Sequence, residues 1–136
     1  MPSRSVPSVI NAITAQPPGG PDLLWITQRK VPLPGPGEVL IKVHEAGVNG
    51  VDLREREGKY PVPPGATDIM GLEVSGEVVS TGGSCIRFAA GDRICALLIA
   101  GGYAEYALTP EGQCMPVPDG VSLTDAAGLP EVYCTV

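Results

Sequence analysis

Eighteen glycines and fifteen prolines are scattered, not clustered, along 136 residues, and that punctuation constrains the fold more than any other feature. Glycine reaches backbone angles other residues avoid, and proline fixes φ and removes a donor, so each interrupts regular structure and favours a turn. A long helical bundle is excluded. Many short strands joined by tight turns satisfy the spacing. With 43% hydrophobic residues, the chain can bury one core of ordinary size and is not a disordered tail.

The segments between turns read mostly as strands. Val9 to Ala15 alternates and ends at the PPGGP turn of Pro17 to Pro21; a second strand is expected over Leu23 to Lys30. After the stiff PLPGPGE turn, EVLIKVHEAGV places Val39, Ile41 and Val43 on one face and Lys42 and His44 on the other, the pattern of a half-buried strand. Val51 to Glu57 carries Asp52 early and Arg54 and Arg56 late, the charge order of a short helix, and stops at Gly58. Strand signals resume at Leu72 to Val79, at Arg93 to Ile99 and in YAEYALT. From Ser122 the pattern turns helical, with Ser122 as N-cap, Asp125 three residues on, and Pro130 starting or kinking a second helix. The expectation is a mainly β chain: six to eight short strands in a partly closed antiparallel β-barrel over residues 1–121, with short helices, and a C-terminal linking helix over 122–136.

Nine basic against fifteen acidic residues leave a net charge of −6, without a basic run, so a phosphate backbone would be repelled and nucleic acid is excluded as a partner. No apolar run approaches the roughly 20 residues that span a bilayer. The N-terminus has one basic residue, Arg4, before the strand-like VINAITA, so a membrane role is not expected and a cytoplasmic location is the default. Cys85, Cys95, Cys114 and Cys134 form no CxxC pair and fit reduced structural thiols.

The wording of these segments carries more. PGPGEVLIKV, AGVNGVDLREREGKYP, GLEVSGEVV, GDRICAL, GGYAEYA and AAGLPE follow one another along nearly the whole chain. In that order they resemble the N-terminal, GroES-like catalytic domain of the medium-chain dehydrogenase/reductase superfamily. GKYPVPPGAT followed by GLE is similar to the zinc-independent quinone oxidoreductase branch. Zinc members of the superfamily have cysteine where this sequence has Asn49 and histidine where it has Leu72, and the four-cysteine lobe for structural zinc is missing. Catalytic zinc takes about three protein ligands plus an open position, and neither leucine nor a neutral amide replaces one. No metal is expected.

The resemblance implies roles for three residues. Asn49 would stand beside the nicotinamide ribose or the substrate; read from its neighbours alone, it is a loop residue capping the helix that starts near Val51. Tyr60 would line the substrate site and serve as proton donor, as a tyrosine similarly placed in related enoyl reductases is proposed to; its alternative is an aromatic lid on the adjacent prolines. Thr135 matches a position where a threonine approaches the nicotinamide, or it is an ordinary helix residue; Pro130 and Glu131 resemble the same junction. Asp52 reads as a helix cap or brace, Glu73 as an acceptor within the domain, and His44 and the run Arg54 to Glu57 as solvated surface.

The implied activity is hydride transfer from NADPH (or NADH), without zinc, to a quinone or activated alkene. The glycine pairs Gly19-Gly20, Gly82-Gly83 and Gly101-Gly102 lack the strand-to-helix context of a GxGxxG phosphate turn. Members of the resembled family carry that motif in a second domain, so the resemblance implies that the chain is an N-terminal portion without its Rossmann domain. It would be inactive alone and would expose Ala127, Leu129 and Val132, while full-length members are implied to be homodimers. The alternatives are a portion of an enoyl reductase, or a non-catalytic module that regulates a full-length homologue.

Overall fold

The computed structural model describes residues 5–135; Arg4 and Val136, within the outer ends of the two expected segments, lie outside the described residues. Seven strands are found there: β1 (Val9–Thr14), β2 (Trp25–Lys30), β3 (Glu38–Ala46), β4 (Glu73–Thr81), β5 (Arg93–Leu97), β6 (Tyr106–Pro110) and β7 (Cys114–Pro116). β1 and β2 form one antiparallel sheet, and the other five form a second in the order β6-β3-β4-β5-β7. Single bridges, Ala12 to Ala104 and Thr14 to Ile69, attach the β1–β2 hairpin to loops around the larger sheet. The mainly β class expected from the sequence holds, and no barrel closes.

β3 departs from simple alternation. Val39 and Ile41 enter a core with Val74, Val78, Ile94 and Ala96, while Leu40, on the opposite face, packs with Ile10 and Tyr106 in a second cluster. The hairpin covers that second face, so the strand's first half is buried on both sides. Only beyond Val43 does the expected half-exposed pattern appear, with His44 and Glu45 in solvent. Two register shifts, at Leu40/Ile41 and Val43/Glu45, interrupt the β3–β4 ladder. Bulges of this kind bend and twist a strand pair.

Helices are short, as the glycine and proline spacing demands. α1 (Gly50–Arg56) begins after Asn49 and ends ahead of Gly58, whose φ of +73° suits glycine. α2 (Leu123–Ala126) is capped by the Ser122 hydroxyl, which accepts from the Asp125 N–H at 3.0 Å. Pro130 opens a new helix, α3 (Pro130–Thr135), where its missing N–H costs nothing. The apolar exposure expected near the C-terminus is corrected in part: Ala127 is buried and Leu129 half-buried, because α2 packs on β3, β4 and β5, while Val132 and Tyr133 are exposed. All four cysteines are free. Among the described residues, no helix is long and apolar enough to cross a membrane.

One long-range contact holds the loop between β4 and β5. The Glu111 carboxylate accepts from the backbone N–H groups of Ile86, Arg87 and Phe88, at 3.0, 2.6 and 3.1 Å to one oxygen. Burial opposes the charge, but these three donors outweigh it and hold the carboxyl below its ordinary range. A lowered folded value means stabilisation that is present above the unfolded value of 4.5 and lost as pH falls through the folded value. Glu111→Gln is therefore expected to lower the urea midpoint at pH 7, with the difference from the unmutated protein shrinking below pH 4.5. A difference that stays constant across that range would show that the charge is not what the loop requires.

Candidate active site

Asn49 takes the N-cap position of α1 with an extended backbone (φ −125°). Its backbone N–H donates to Asp52 Oδ2 at 2.9 Å, so the third residue of the helix reaches back over its own first turn. The Asn49 side-chain nitrogen reaches a second carboxylate: Nδ2 donates to Glu73 Oε1 at 2.9 Å. The other Glu73 oxygen accepts from the backbone N–H of Glu131, in the first turn of α3, at 2.8 Å. Glu73 thus joins α1 to α3 through both oxygens while itself 2% exposed.

Gly47 makes room for this arrangement. A Cβ there would overlap the Glu73 carboxylate, so only glycine lets the chain pass between β3 and Asn49 at this distance. The Gly47 N–H in turn donates to the Glu73 backbone carbonyl at 3.2 Å. The sequence signal for this contact was a lone glycine after a strand, which names no partner.

A residue not singled out from the sequence completes the cluster. Tyr103 Oη donates to Asp52 Oδ2 at 2.6 Å, with the Gly47 carbonyl a weaker second acceptor at 3.3 Å. Burial and then the Asp52 carboxylate push the phenol's ionisation well above its ordinary value, so Tyr103 stays a donor. Asp52 is 2% exposed, and its Oδ1 has no partner among the described residues. The signal available beforehand was a tyrosine directly after Gly101-Gly102, with 51 residues separating it from Asp52.

Neither of the other two candidates is hydrogen-bonded to Asn49 among the described residues. Tyr60 is 40% exposed and lines a cleft of about 270 Å³ with Gln16, Pro18, Glu55, Thr67 and Asp68; Asn49 does not line it. Pro18 and Pro63 also line this cleft. Glu55, expected on a solvated face, is half-buried in this cleft, and burial followed by the Asp52 charge raises its carboxyl above the ordinary value. Thr135 is exposed near the end of α3, and its hydroxyl donates to the Glu131 carbonyl at 2.5 Å. A larger groove, about 850 Å³, runs between the two sheets past Ile10, Leu98 and Tyr106, and none of the three candidates lines it.

The donor set can be tested against the zinc that the superfamily implies. Leu72 is buried at 7% exposure and offers no ligand atom, and the Asn49 amide nitrogen is committed to Glu73. Among the described residues, no three His, Cys, Asp or Glu side chains group as a metal site. Both Glu73 oxygens and Asp52 Oδ2 are instead occupied by protein donors. These residues do not fit catalytic zinc.

The alcohol dehydrogenase GroES-like domain family matches residues 35–119. Mouse quinone oxidoreductase is 37% identical over 119 residues, which cover 86% of this chain and 36% of that protein. Human synaptic vesicle membrane protein VAT-1 homolog-like protein superposes with a TM-score of 0.87 at 31% identity, over 93% of this chain and 41% of that one. A mycobacterial protein solved in complex with NADPH gives 0.75 at 35% identity, over 87% and 35% of the two chains. The chain spans 36% of the length of the rodent quinone oxidoreductases it matches and 28% of a mouse VAT-1 homolog-like protein. A match over most of the sequence and the same open two-sheet fold lead to one conclusion: the chain belongs to the alcohol dehydrogenase GroES-like domain family, within the medium-chain dehydrogenase/reductase superfamily.

Proposed function

We propose that this domain is the catalytic-domain part of a zinc-independent NAD(P)H-dependent oxidoreductase whose acceptor is a quinone or activated alkene. The observation that carries the reading is the Asn49 amide, set on Glu73 at 2.9 Å, standing where zinc members have a cysteine ligand and next to a buried Leu72 in place of histidine. Relatives named quinone oxidoreductase and a similar protein solved with NADPH support the same class.

When bound, a reduced nicotinamide supplies the hydride. Asn49, fixed on a carboxylate, contributes a neutral hydrogen-bonding edge that holds the ribose or substrate without competing for protons. Tyr60 donates a proton or hydrogen bond to the reduced acceptor from its cleft, and Thr135 adds a hydroxyl on the α3 side. The glycine pairs of this chain do not fit a pyrophosphate, so residues 1–121 provide the nicotinamide and substrate side and 122–136 lead toward a dinucleotide-binding domain.

The test is NADPH oxidation by the full-length gene product with a quinone and, separately, an enoyl thioester as acceptor. Faster quinone turnover is expected, and turnover of neither acceptor would sink the reading. Tyr60→Phe should lower kcat by about a hundredfold, the low end for a lost general acid, while NADPH affinity changes little. An unchanged kcat would remove Tyr60 from the chemistry.

A further inference from the structure

We infer that Tyr103 is the positioning residue for Asn49, acting through Asp52; this rests on the reading of Asn49 as the residue that meets the cofactor or substrate. The geometry supporting it is a run of donors and acceptors with one shared atom. Asp52 Oδ2 accepts from Tyr103 Oη at 2.6 Å and from the Asn49 backbone N–H at 2.9 Å. Asn49 Nδ2 then donates to Glu73, which also accepts from α3. Tyr103, Asp52, Asn49, Glu73 and Glu131 form one path from the turn before β6 to the helix that carries Thr135.

Tyr103 is suited to be the fixed end of that path. Its backbone N–H donates to the Met70 carbonyl at 2.8 Å, and its own carbonyl accepts from the Ile13 N–H at 2.8 Å. The residue is clamped between the β1 strand and the segment entering β4, so its hydroxyl reaches Asp52 from a rigid base. Asp52 needs that donor. It is 2% exposed and one of its oxygens is already without a partner, so losing the phenol would leave a buried carboxylate held only by its own helix end. The expected response is rotation of Asp52, a loosened first turn of α1 and an Asn49 amide no longer aligned on Glu73. Phenylalanine keeps the ring and removes only this hydroxyl.

A double-mutant cycle in the full-length gene product separates positioning from general structure. Tyr103→Phe is expected to lower kcat/KM for NADPH about tenfold in the unmutated background, while Asn49→Ala lowers it by at least as much. Adding Tyr103→Phe to Asn49→Ala should then produce no further loss. An unchanged kcat/KM in Tyr103→Phe, or the same tenfold loss in both backgrounds, overturns the inference. If Asn49→Ala alone changes nothing, the reading of Asn49 fails, and the inference falls with it for that separate reason. Should Tyr103→Phe not fold, 3-fluorotyrosine placed at position 103 of the otherwise unmutated protein retunes the donor without deleting it. Shifts in the Asn49 backbone and side-chain amide resonances, with those of Gln113 unmoved, are expected; an unmoved Asn49 overturns the inference.

Discussion

Replacing Gly76 with alanine will destabilise the domain by about 3 kcal/mol, the upper end for overpacking a well-filled site. β4 lies inside the larger sheet, and Gly76 pairs with Val43 on one side and Ile94 on the other. A Cβ there would overlap the Lys42 carbonyl oxygen and meet Ile41 Cγ2 at 2.9 Å. The oxygen belongs to the backbone of a paired strand, so it cannot move aside as the end of a flexible side chain can. The surrounding Val74, Val78 and Ile94 are fully buried, which leaves no slack to absorb the shift. Against a net stability of about 5–15 kcal/mol for a domain, this loss is large. Urea unfolding followed by circular dichroism should show the midpoint falling by about 1–3 M at ordinary slopes for small proteins. An unchanged midpoint would mean that the β3–β4 approach is looser than described.

Glu73→Ala should cost about as much stability, by the opposite route, and should abolish most of the oxidoreductase activity proposed for the full-length gene product. The substitution leaves a buried hole and removes the acceptor of two donors, Asn49 Nδ2 and the Glu131 N–H. A buried donor left unsatisfied costs roughly 1–3 kcal/mol, so a total of about 3 kcal/mol follows even if water reaches one of them. Release of Asn49 and of the start of α3 together is expected to lower kcat/KM by about a hundredfold, because positioning errors of an ångström cost that much. Glu73→Gln retains one carbonyl oxygen and should fall between the two. If Glu73→Ala binds NADPH and turns over quinone like the unmutated protein, Glu73 does not set the site.

The local features were legible because they depend on neighbours in sequence. Ser122 with Asp125, Pro130 opening α3, and α1 stopping before Gly58 each involve one turn of chain, and each formed as expected. Leu40 was not legible: alternation put it on the polar face of β3, but burial of that face depends on where the β1–β2 hairpin lands. β7 has only three residues and gained its place from pairing with β5. Ala127 followed the same rule, buried by the packing of α2 on three strands rather than by anything in its own segment.

The site divides in the same way. Asn49 and Glu73 stood out through the family wording around them, and Asp52 as a helix cap, since its acceptor role is set three residues away. Tyr103 and the burial of Glu55 could not be read, because the partners come from other parts of the chain and no period in the sequence reports them. Tyr60 was expected beside the same chemistry as Asn49; it lines a cleft with Glu55, from the same helix α1 that Asn49 caps, and Asn49 is not among the residues of that cleft.

The central claim is that a hydrogen-bonded amide cluster, not a metal, organises this site. The most direct measurement is NADPH-dependent quinone reduction by the full-length gene product before and after exhaustive chelation, with elemental analysis of the same sample. Unchanged turnover and less than a tenth of an equivalent of zinc, roughly the level of adventitious metal, are predicted because Asn49 and Leu72 do not supply catalytic zinc ligands. Turnover lost on chelation and restored by one equivalent of zinc would contradict it.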